Sequence, residues 1–321
     1  MTDISVFIEV DDGVLNDLSL QALGAARALT AGGRVRCLAA GPGAAAAAAD
    51  LFARGADEVQ CFDDPRAAAY TTRPYAQAVT AWLAGAAPQP VLFGATTLGN
   101  DLAPSVAARL PAACVLSADG LDAAGDGWIA RRMEYDRKVQ TSYAPAGTTA
   151  FVVTLRDGAA ETPAADPART GAATPLAVEL DAADLVARVL QRDVAKKTVN
   201  LKDAKIVVAA GAGVGNQEGL ELVRQLADAL GAEIGATRAV VDAGWLPADH
   251  QIGQTGATVR PDLYIACGIS GAVQHRVGML DARTIIAINT DANAPIFKIA
   301  HYQVVGDLKT VVPKLIKLLA S

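Results

Sequence analysis

Three short polar segments in the last third of the chain carry glycines, hydroxyls and side-chain donors that could bind a ligand. They occupy residues 235–238, 251–256 and 270–275. Ser270 follows the apolar run 265–267, so it should open a helix with its hydroxyl and unpaired backbone amides, a combination that favours an anion. Loops at the carboxyl ends of parallel strands converge on one crevice. Together the three segments predict a ligand-binding site.

Taken singly, the polar residues of these segments have ordinary structural interpretations. An arginine such as Arg238 is more often a surface ion-pair partner than a ligand contact. A histidine such as His275, on the first turn of a helix, is more often solvated or part of a cap. Gln254 and Thr255 are also consistent with a simple turn. The prediction of a site therefore rests on their conjunction.

A further glycine turn, at residues 211–215, follows a predicted strand at 205–210 and precedes a predicted helix at 217–230. Glycines at such a turn let the backbone approach a phosphate closely, and the helix that follows offers unpaired amides. Asn216 stands where the GxGxxG pattern has its third glycine. By itself this turn leaves both nucleotide binding and an ordinary α/β turn open, because a glycine turn after a strand occurs in many α/β folds.

The composition argues against several classes of protein. The 28 lysines and arginines against 34 acids give a net charge of −6 without a basic run, so no nucleic-acid partner is expected. The cysteines, Cys37, Cys61, Cys114 and Cys267, show no CxxC spacing and are predicted to be reduced core residues. The three histidines form no metal-binding motif, so no metal is expected. The chain lacks both a leader pattern and an apolar run of membrane-spanning length, which predicts a cytoplasmic protein without membrane insertion.

The length of 321 residues predicts two domains rather than one. Up to residue 110, apolar runs alternate with segments rich in alanine and leucine. The predicted strands are 4–10, 35–40, 58–62 and 90–96, and the predicted helices are 19–30, 44–54, 75–84 and 99–110. Strands that are apolar throughout are typical of a parallel sheet covered on both faces by helices.

The pattern changes beyond residue 110. Strands without intervening helices are predicted at 113–116, 128–135, 140–143 and 151–155, and we expect them to add antiparallel strands to the edge of the sheet. Residues 157–175 have few large apolar side chains and are predicted to form a mobile surface loop.

A second α/β series begins after a polar patch. It has the strand 205–210 and the helix 217–230, further strands at 263–266, 284–288 and 303–305, and a closing helix at 309–319. The fold class is therefore α/β, with two mostly parallel sheets flanked by helices. The predicted domains are 1–196 and 197–321.

From residue 235 to residue 308 the chain also resembles a known family. It contains, in order, GATRAVVDAG, QIGQTG, LYIACGISGAVQH, AINTDANAPIF and VVGDL, and these motifs closely resemble the α subunit of electron transfer flavoproteins. The resemblance implies that the C-terminal domain is a nucleotide-binding, Rossmann-like domain that holds one FAD, and that a β subunit contacts the N-terminal domain. It also implies electron carriage, rather than catalysis, from flavoprotein dehydrogenases to an acceptor such as a membrane quinone oxidoreductase.

The resemblance assigns roles to residues around the isoalloxazine ring. Arg238 resembles the arginine whose fixed charge favours the reduced flavin, and Thr255 would offer its hydroxyl to flavin N5. His275 resembles the histidine near the C2 carbonyl, where a positive or donating imidazole would stabilise negative charge on the flavin. The ring would also be lined by Ile252, Gly253 and Gln254. Phosphate, ribityl and adenosine contacts would come from Thr237, Ser270, Gly271, Ala272, Val273, Gln274, Asn289, Asp307 and Leu308.

Two positions depart from the family pattern. Ala212 stands where an arginine is common between the glycines of the first turn, so a charged pyrophosphate contact is missing and weaker FAD binding is expected. His301 stands where an aspartate commonly precedes the tyrosine, which puts a potential cation in place of an acceptor.

Three other functions remain open at this point. One is the α subunit of a bifurcating electron transfer flavoprotein, whose second FAD would lie in the β subunit. Another is an FAD- or NAD-dependent enzyme domain, which would need its own acid or base. The third is a purely structural nucleotide-binding module, which would leave Arg238 and His275 without a redox role.

Overall fold

The computed structural model describes residues 3–30, 32–86, 89–125, 127–135, 138–146, 150–192, 199–202 and 204–319. The chain divides into two compact units, Met1–Arg192 and Asp193–Ser321. The sequence-based limits, 1–196 and 197–321, place the division slightly later, and residues 193–198 lie outside the described part of the chain. No described helix is long and apolar enough to cross a membrane.

The first unit is built on a parallel sheet with helices on both faces. Its elements are β1 Ile4–Asp11, β2 Val14–Leu15, α1 Asp17–Leu29, β3 Val35–Ala40, α2 Ala44–Ala53, β4 Glu58–Phe62, α3 Thr72–Leu83, β5 Pro90–Gly94, α4 Thr97–Arg109, β6 Ala113–Ala118, β7 Gly120–Ala124, β8 Gly127–Glu134, β9 Val139–Tyr143, β10 Phe151–Leu155 and β11 Thr174–Pro175. The main strands run in the order β11-β4-β3-β1-β5-β10-β6 and pair in parallel, while β2 forms a short antiparallel pair with β1. The predicted parallel sheet is confirmed.

The prediction of antiparallel edge strands after residue 110 is wrong. Strands β6 and β10 are parallel members of the main sheet, and β10 lies inside it, between β5 and β6. Strands β7, β8 and β9 instead form a separate antiparallel sheet of three strands. Period-two patterning identifies a strand but does not say which neighbour it pairs with, so the sequence could not separate the two sheets.

The segment predicted to be a mobile loop has no regular structure before β11, yet hydrogen bonds tie it to the first unit. Arg54 Nη1 donates to the carbonyl of Pro163 over 2.9 Å, and Arg169 Nη2 donates to Asp57 Oδ1 over 2.9 Å. These bonds argue against the expected mobility. Of the four free cysteines, three are buried as expected, but Cys114 is exposed.

The second unit contains β12 Ile206–Ala210, α5 Gln217–Leu230, β13 Glu233–Ala236, α6 Arg238–Asp242, β14 Leu263–Cys267, α7 Val273–Arg276, β15 Thr284–Asn289, β16 Tyr302–Val305 and α8 Leu308–Leu319. All five strands are parallel, in the order β13-β12-β14-β15-β16. Counted along the chain this order is 2-1-3-4-5, a doubly wound sheet whose direction of winding reverses between β12 and β14. Apolar side chains from both faces of the sheet form its two cores.

Asn216, the residue in place of the third glycine, begins α5. Its Oδ1 accepts a hydrogen bond of 3.0 Å from the backbone N–H of Gly219, so it is the N-cap of this helix. The helix ends at Gly231, which adopts a left-handed conformation with φ of 60°. Two residues, Gly231 and Ala232, separate this helix from β13, a strand that the sequence analysis did not predict.

Candidate functional site

A cavity of about 690 Å³ lies at the carboxyl edge of the second sheet, where β12, β13, β14 and β15 end. This is the position at which doubly wound sheets bind ligands, because the loops on either side of the reversal point diverge. The lining residues are Ala212, Gly213, Thr237, Arg238, Ala239, Gln251, Ile252, Gly253, Gln254, Thr255, Gly268, Ile269, Ser270, Gly271, Ala272, Gln274, His275, Asn289, Asp291, Ala294 and Pro295.

Twelve of the fifteen residues selected from the sequence are therefore brought together here. The other three are Val273, Asp307 and Leu308. Val273 begins α7 and is 38% exposed. Asp307 caps α8, where its Oδ1 accepts from the backbone N–H of Lys309, and Leu308 is buried in the core.

The turn after β12 and the turn after β14 are in direct contact, and glycines in both turns allow this close approach. The backbone N–H of Gly213 donates to the carbonyl of Gly268 over 2.9 Å. A Cβ on Gly211 would lie 2.3 Å from that same carbonyl oxygen, so no larger residue fits. Gly268 also has φ of +64°, which favours glycine. The floor of the cavity thus depends on backbone packing that side chains would prevent.

Thr237, directly after β13, has a hydroxyl that the protein itself leaves unused. It occupies the N-cap position of α6 but makes no side-chain capping bond. Its Oγ1 is buried and has no hydrogen-bond partner among the described residues. A buried hydroxyl without a partner costs free energy. Because Thr237 lines the cavity, a ligand there is positioned to supply the missing partner.

Arg238 forms a surface ion pair and also lies in the cavity lining. Its side chain lines the cavity, and its Nε lies 3.3 Å from Oδ2 of Asp242. The side chain of Arg238 is 70% exposed. Among the described lining residues it is the one permanent cation, so it places a positive charge at the cavity.

The loop after α6 is bonded to α7. The backbone N–H of Gln254 donates to the carbonyl of Gln274 over 2.7 Å. Gly253 has φ of +141°, and a Cβ there would lie 2.5 Å from that carbonyl. Thr255 Oγ1 accepts a bond of 2.9 Å from Gln251 Nε2, which leaves the hydroxyl proton of Thr255 for an acceptor in the cavity.

His275 is 6% exposed, and both of its ring nitrogens are hydrogen-bonded within the protein. Nδ1 lies 3.0 Å from the carbonyl oxygen of Ile252, and Nε2 lies 2.9 Å from the hydroxyl of Tyr264. Burial lowers the pKa of His275 to about 4, although the bond to Ile252 acts in the opposite direction. The structure therefore favours a neutral imidazole over the positive one considered from the sequence.

Asn289 is the last residue of β15, and it is hydrogen-bonded to Asp291 in the loop that follows. Asn289 Nδ2 donates to the carbonyl of Ile269 over 2.9 Å, and its Oδ1 accepts from the backbone N–H of Asp291. Asn289 thus joins the loops after β14 and β15. Asp291 also lines the cavity and was missed by the sequence analysis, although its position just beyond a predicted strand could have identified it.

His301, one of the two departures from the family pattern, does not line the cavity. Its Nδ1 accepts a bond of 3.0 Å from the backbone N–H of Ile285. The backbone N–H of His301 donates in turn to the carbonyl of Ile285 over 2.8 Å. An aspartate carboxylate would accept the first bond equally well. The histidine therefore provides a hydrogen-bond acceptor at this position.

The family comparisons cover both units. Residues 4–185 match the family model described as the electron transfer flavoprotein domain, and residues 200–280 match the electron transfer flavoprotein FAD-binding domain. The chain is 39% identical over 319 residues to an electron transfer flavoprotein subunit alpha of Thermoanaerobacterium thermosaccharolyticum, covering 98% of this chain and 97% of the relative. It belongs to the electron transfer flavoprotein α-subunit family.

Two further relatives extend this result. The α subunit from Bacillus subtilis is 38% identical over 315 residues, covering 97% of this chain and 95% of the relative. Protein FixB of Rhizobium meliloti is also 38% identical, over 322 residues, covering 98% of this chain and 91% of the relative. The electron transfer flavoprotein family is one of electron carriers rather than enzymes, and an α subunit implies a β subunit as its partner.

The chain contains the FAD-binding domain of the family, and the cavity has features that fit this cofactor. The unpartnered hydroxyl of Thr237 and the glycine turns suit a ligand rich in acceptors that approaches the backbone closely. Arg238 is positioned to balance negative charge. Ala212, where an arginine is common in the family, brings no charge to the β12 side of the cavity.

Proposed function

We propose that this α subunit, paired with a β subunit, holds FAD in the cavity at the carboxyl edge of the second sheet. It would receive electrons from flavoprotein dehydrogenases and pass them to an acceptor such as a membrane quinone oxidoreductase. The fifteen residues selected from the sequence are proposed as the contacts, with Val273, Asp307 and Leu308 outside the described cavity lining. The predicted domain limits and cytoplasmic location stay predictions.

The observation that carries this proposal is the unpartnered, buried hydroxyl of Thr237 beside the cation of Arg238. When bound, FAD supplies the redox chemistry, accepting and releasing electrons one or two at a time. The chain's own groups bind and orient it: Thr237 and Thr255 have hydroxyl protons to donate, and Arg238 adds a fixed positive charge.

The lining offers little for an enzyme of the FAD- or NAD-dependent class. Asp291 is the one carboxylate among the described lining residues, and its Oδ1 already accepts from the backbone N–H of Asn293. His275 has both nitrogens engaged. A proton-transferring pair within reach of each other is therefore missing from the described lining, and this favours a carrier.

The test is to coexpress the chain with its β subunit and titrate the complex with FAD. Thr237→Val keeps the shape of the side chain and removes the hydroxyl. We expect it to raise the FAD dissociation constant about fivefold, the effect of one hydrogen bond of about 1 kcal/mol. It should leave the FAD-free protein as stable as the wild type or slightly more stable, because an unsatisfied buried group is removed.

The matched control is Thr310→Val, at an exposed position of α8 outside the cavity. It should bind FAD as the wild type does. A wild-type complex that takes up no FAD would overturn the proposal. The number of FAD molecules per heterodimer decides the bifurcating alternative, which requires two where the simple carrier requires one.

A further inference from the structure

Tyr264, on β14, is fully buried and does not line the cavity. Its hydroxyl lies 2.9 Å from Nε2 of His275, and the two rings are 6.2 Å apart between centroids, tilted by 52°. On the other side of the histidine, Nδ1 lies 3.0 Å from the carbonyl oxygen of Ile252. His275 thus connects a core strand to the loop that forms one wall of the cavity.

The chemistry of the two partners determines where the protons lie. A carbonyl oxygen only accepts, so the proton of this histidine must be on Nδ1 for the bond to Ile252 to exist. Burial lowers the pKa of His275 to about 4, so near neutral pH the ring has one N–H proton, the one on Nδ1. Nε2 is then an acceptor, and the hydroxyl of Tyr264 donates to it. Burial also raises the pKa of Tyr264, which keeps the phenol protonated.

Burial is the main cause of the pKa shifts of both Tyr264 and His275. Tyr264 is influenced electrostatically by the thiol of Cys267 on its own strand, but burial raises the pKa of that thiol to about 12, so it stays uncharged. Besides burial, the hydrogen bond to the carbonyl of Ile252 also affects the pKa of His275, which it raises. A neutral histidine with one fixed tautomer is therefore the stable arrangement.

We propose that Tyr264 is a positioning residue of the FAD site, whose hydroxyl fixes the tautomer and orientation of His275 and thereby holds Ile252 and the loop 252–255 against the cavity. The proposal rests on the function proposed above. It assigns His275 a different role from a charged contact, since neither ring nitrogen can donate to a ligand without breaking one of its two bonds. Tyr264, which sets the tautomer of His275, does not itself line the cavity.

The loop has further contacts that make its position matter. Ile252 is 2% exposed, and its side chain occupies the space beside Gly235, where an added Cβ would lie 2.3 Å from Ile252 Cδ1. Its backbone N–H donates to the carbonyl of Ala236. A displacement of the Ile252 carbonyl would therefore also move Gly253, Gln254 and Thr255, which line the cavity.

The experiment is ¹⁵N NMR of histidine-labelled full-length protein in complex with its β subunit, with and without FAD. His275→Gln identifies the His275 signals by difference. In the wild type we expect Nδ1 to be protonated and Nε2 unprotonated from pH 6 to pH 8. This measurement needs no variant of Tyr264, so a folding defect in such a variant cannot prevent the test.

Tyr264→Phe then removes the donor while retaining the ring. We expect the Nε2 signal of His275 to shift and the FAD dissociation constant to rise about fivefold, as for one lost hydrogen bond. Tyr302→Phe, at a tyrosine that is 63% exposed on β16, is the matched control and should change neither.

Two results would overturn the inference. One is a wild-type His275 with its proton on Nε2 or with both nitrogens protonated at neutral pH. The other is a Tyr264→Phe protein whose His275 signals and FAD affinity equal those of Tyr302→Phe. A wild-type complex that fails to bind FAD would instead refute the proposed function, and the nitrogen signals of the FAD-free protein would still decide whether Tyr264 sets the tautomer.

Discussion

The Nε atom of Arg238 lies 3.3 Å from Oδ2 of Asp242, one turn further along α6, while the same arginine lines the cavity. The side chains are 70% and 62% exposed. Solvent screens such a pair strongly, so it holds the arginine only weakly. Arg238 is therefore free to shift its interaction towards a negatively charged ligand.

Replacing Arg238 should make the bound flavin harder to reduce. We expect Arg238→Ala to lower the midpoint potential by about 30 mV, which corresponds to a tenfold loss of preference for the reduced form in a two-electron couple. Redox titration of the FAD-replete complex measures this. Arg283→Ala, at an arginine that is 84% exposed and outside the cavity lining, is the control. A wild-type potential in Arg238→Ala would refute the electrostatic role of Arg238.

Neutralising Asp242 should have the opposite effect. Asp242→Asn removes the competing carboxylate and leaves the charge of Arg238 unbalanced, so the midpoint potential should rise, by less than the fall in Arg238→Ala because the pair is exposed. In the double variant, Arg238→Ala with Asp242→Asn, the rise in midpoint potential caused by Asp242→Asn should be much smaller. If Asp242→Asn raises the potential equally in both backgrounds, it acts directly on the flavin and not through Arg238.

The buried histidine predicts a loss of stability in mild acid. The pKa of His275 is about 4 in the folded chain and ordinarily 6.5, so below pH 6.5 the unfolded chain binds a proton that the folded chain does not. The free energy of unfolding should therefore fall as the pH drops from 6.5 to 4, by about 3 kcal/mol at most. Above pH 6.5 the imidazole is neutral in both states and contributes no slope.

Urea unfolding of the wild type and of His275→Gln between pH 4.5 and pH 7.5 isolates this contribution, because all other titrating groups are common to both proteins. The difference between the two curves should depend on pH only in the acid range. A constant difference over the whole range would show that His275 titrates normally in the folded chain.

Restoring an arginine at position 212 should tighten FAD binding. Ala212 is exposed and lines the cavity, so a longer side chain has room to leave the turn without being buried. One charge-assisted bond to a phosphate should add about 1–3 kcal/mol. Titration of the FAD-free complex with Ala212→Arg tests this, and Ala212→Gln, which adds length without charge, is the control. Equal affinities for Ala212→Arg and wild type would show that another group already fills this role.

The isolated chain should be poorly soluble and should recover on coexpression with its β subunit. Large apolar side chains are exposed near the end of the first unit, with Leu190 at 87% and Val186 at 64%. Sedimentation of the chain alone and of the coexpressed complex makes the comparison. Val186→Ser combined with Leu190→Ser should reduce aggregation of the chain alone. A well-dispersed, FAD-replete wild-type monomer would contradict the need for a partner.

The parts of the fold that the sequence predicts well are those with strong local patterns. The strand Val35–Ala40 was predicted with the same limits as observed, because its residues are apolar throughout and turn signals bound it. By contrast, β13 was missed because Glu233–Ala236 is short and contains glycine, and its strand state depends on pairing with β12. Pairing is a non-local property that residue patterns do not contain.

The same distinction applies to the site. Motif types and the family resemblance located Thr237, Arg238 and Gln254 in segments that converge on the cavity. The neutrality of His275 was not predictable, because it depends on burial and on Tyr264, a residue that looks like ordinary core. Asp291 was missed for a different reason: the strand before it was predicted, but the loop after that strand was not searched for polar residues.

The position of β10 between β5 and β6 has a consequence for synthesis of the chain. Residues 90–94 and 113–118 leave the ribosome early, yet β6 pairs only with β10 among the described strands, and β10 begins at residue 151. Until then β5 exposes a row of unpaired amides and carbonyls, and β6 has no sheet to join. A nascent chain that has not yet released β10 therefore exposes unpaired strand edges of the kind that chaperones and other chains bind.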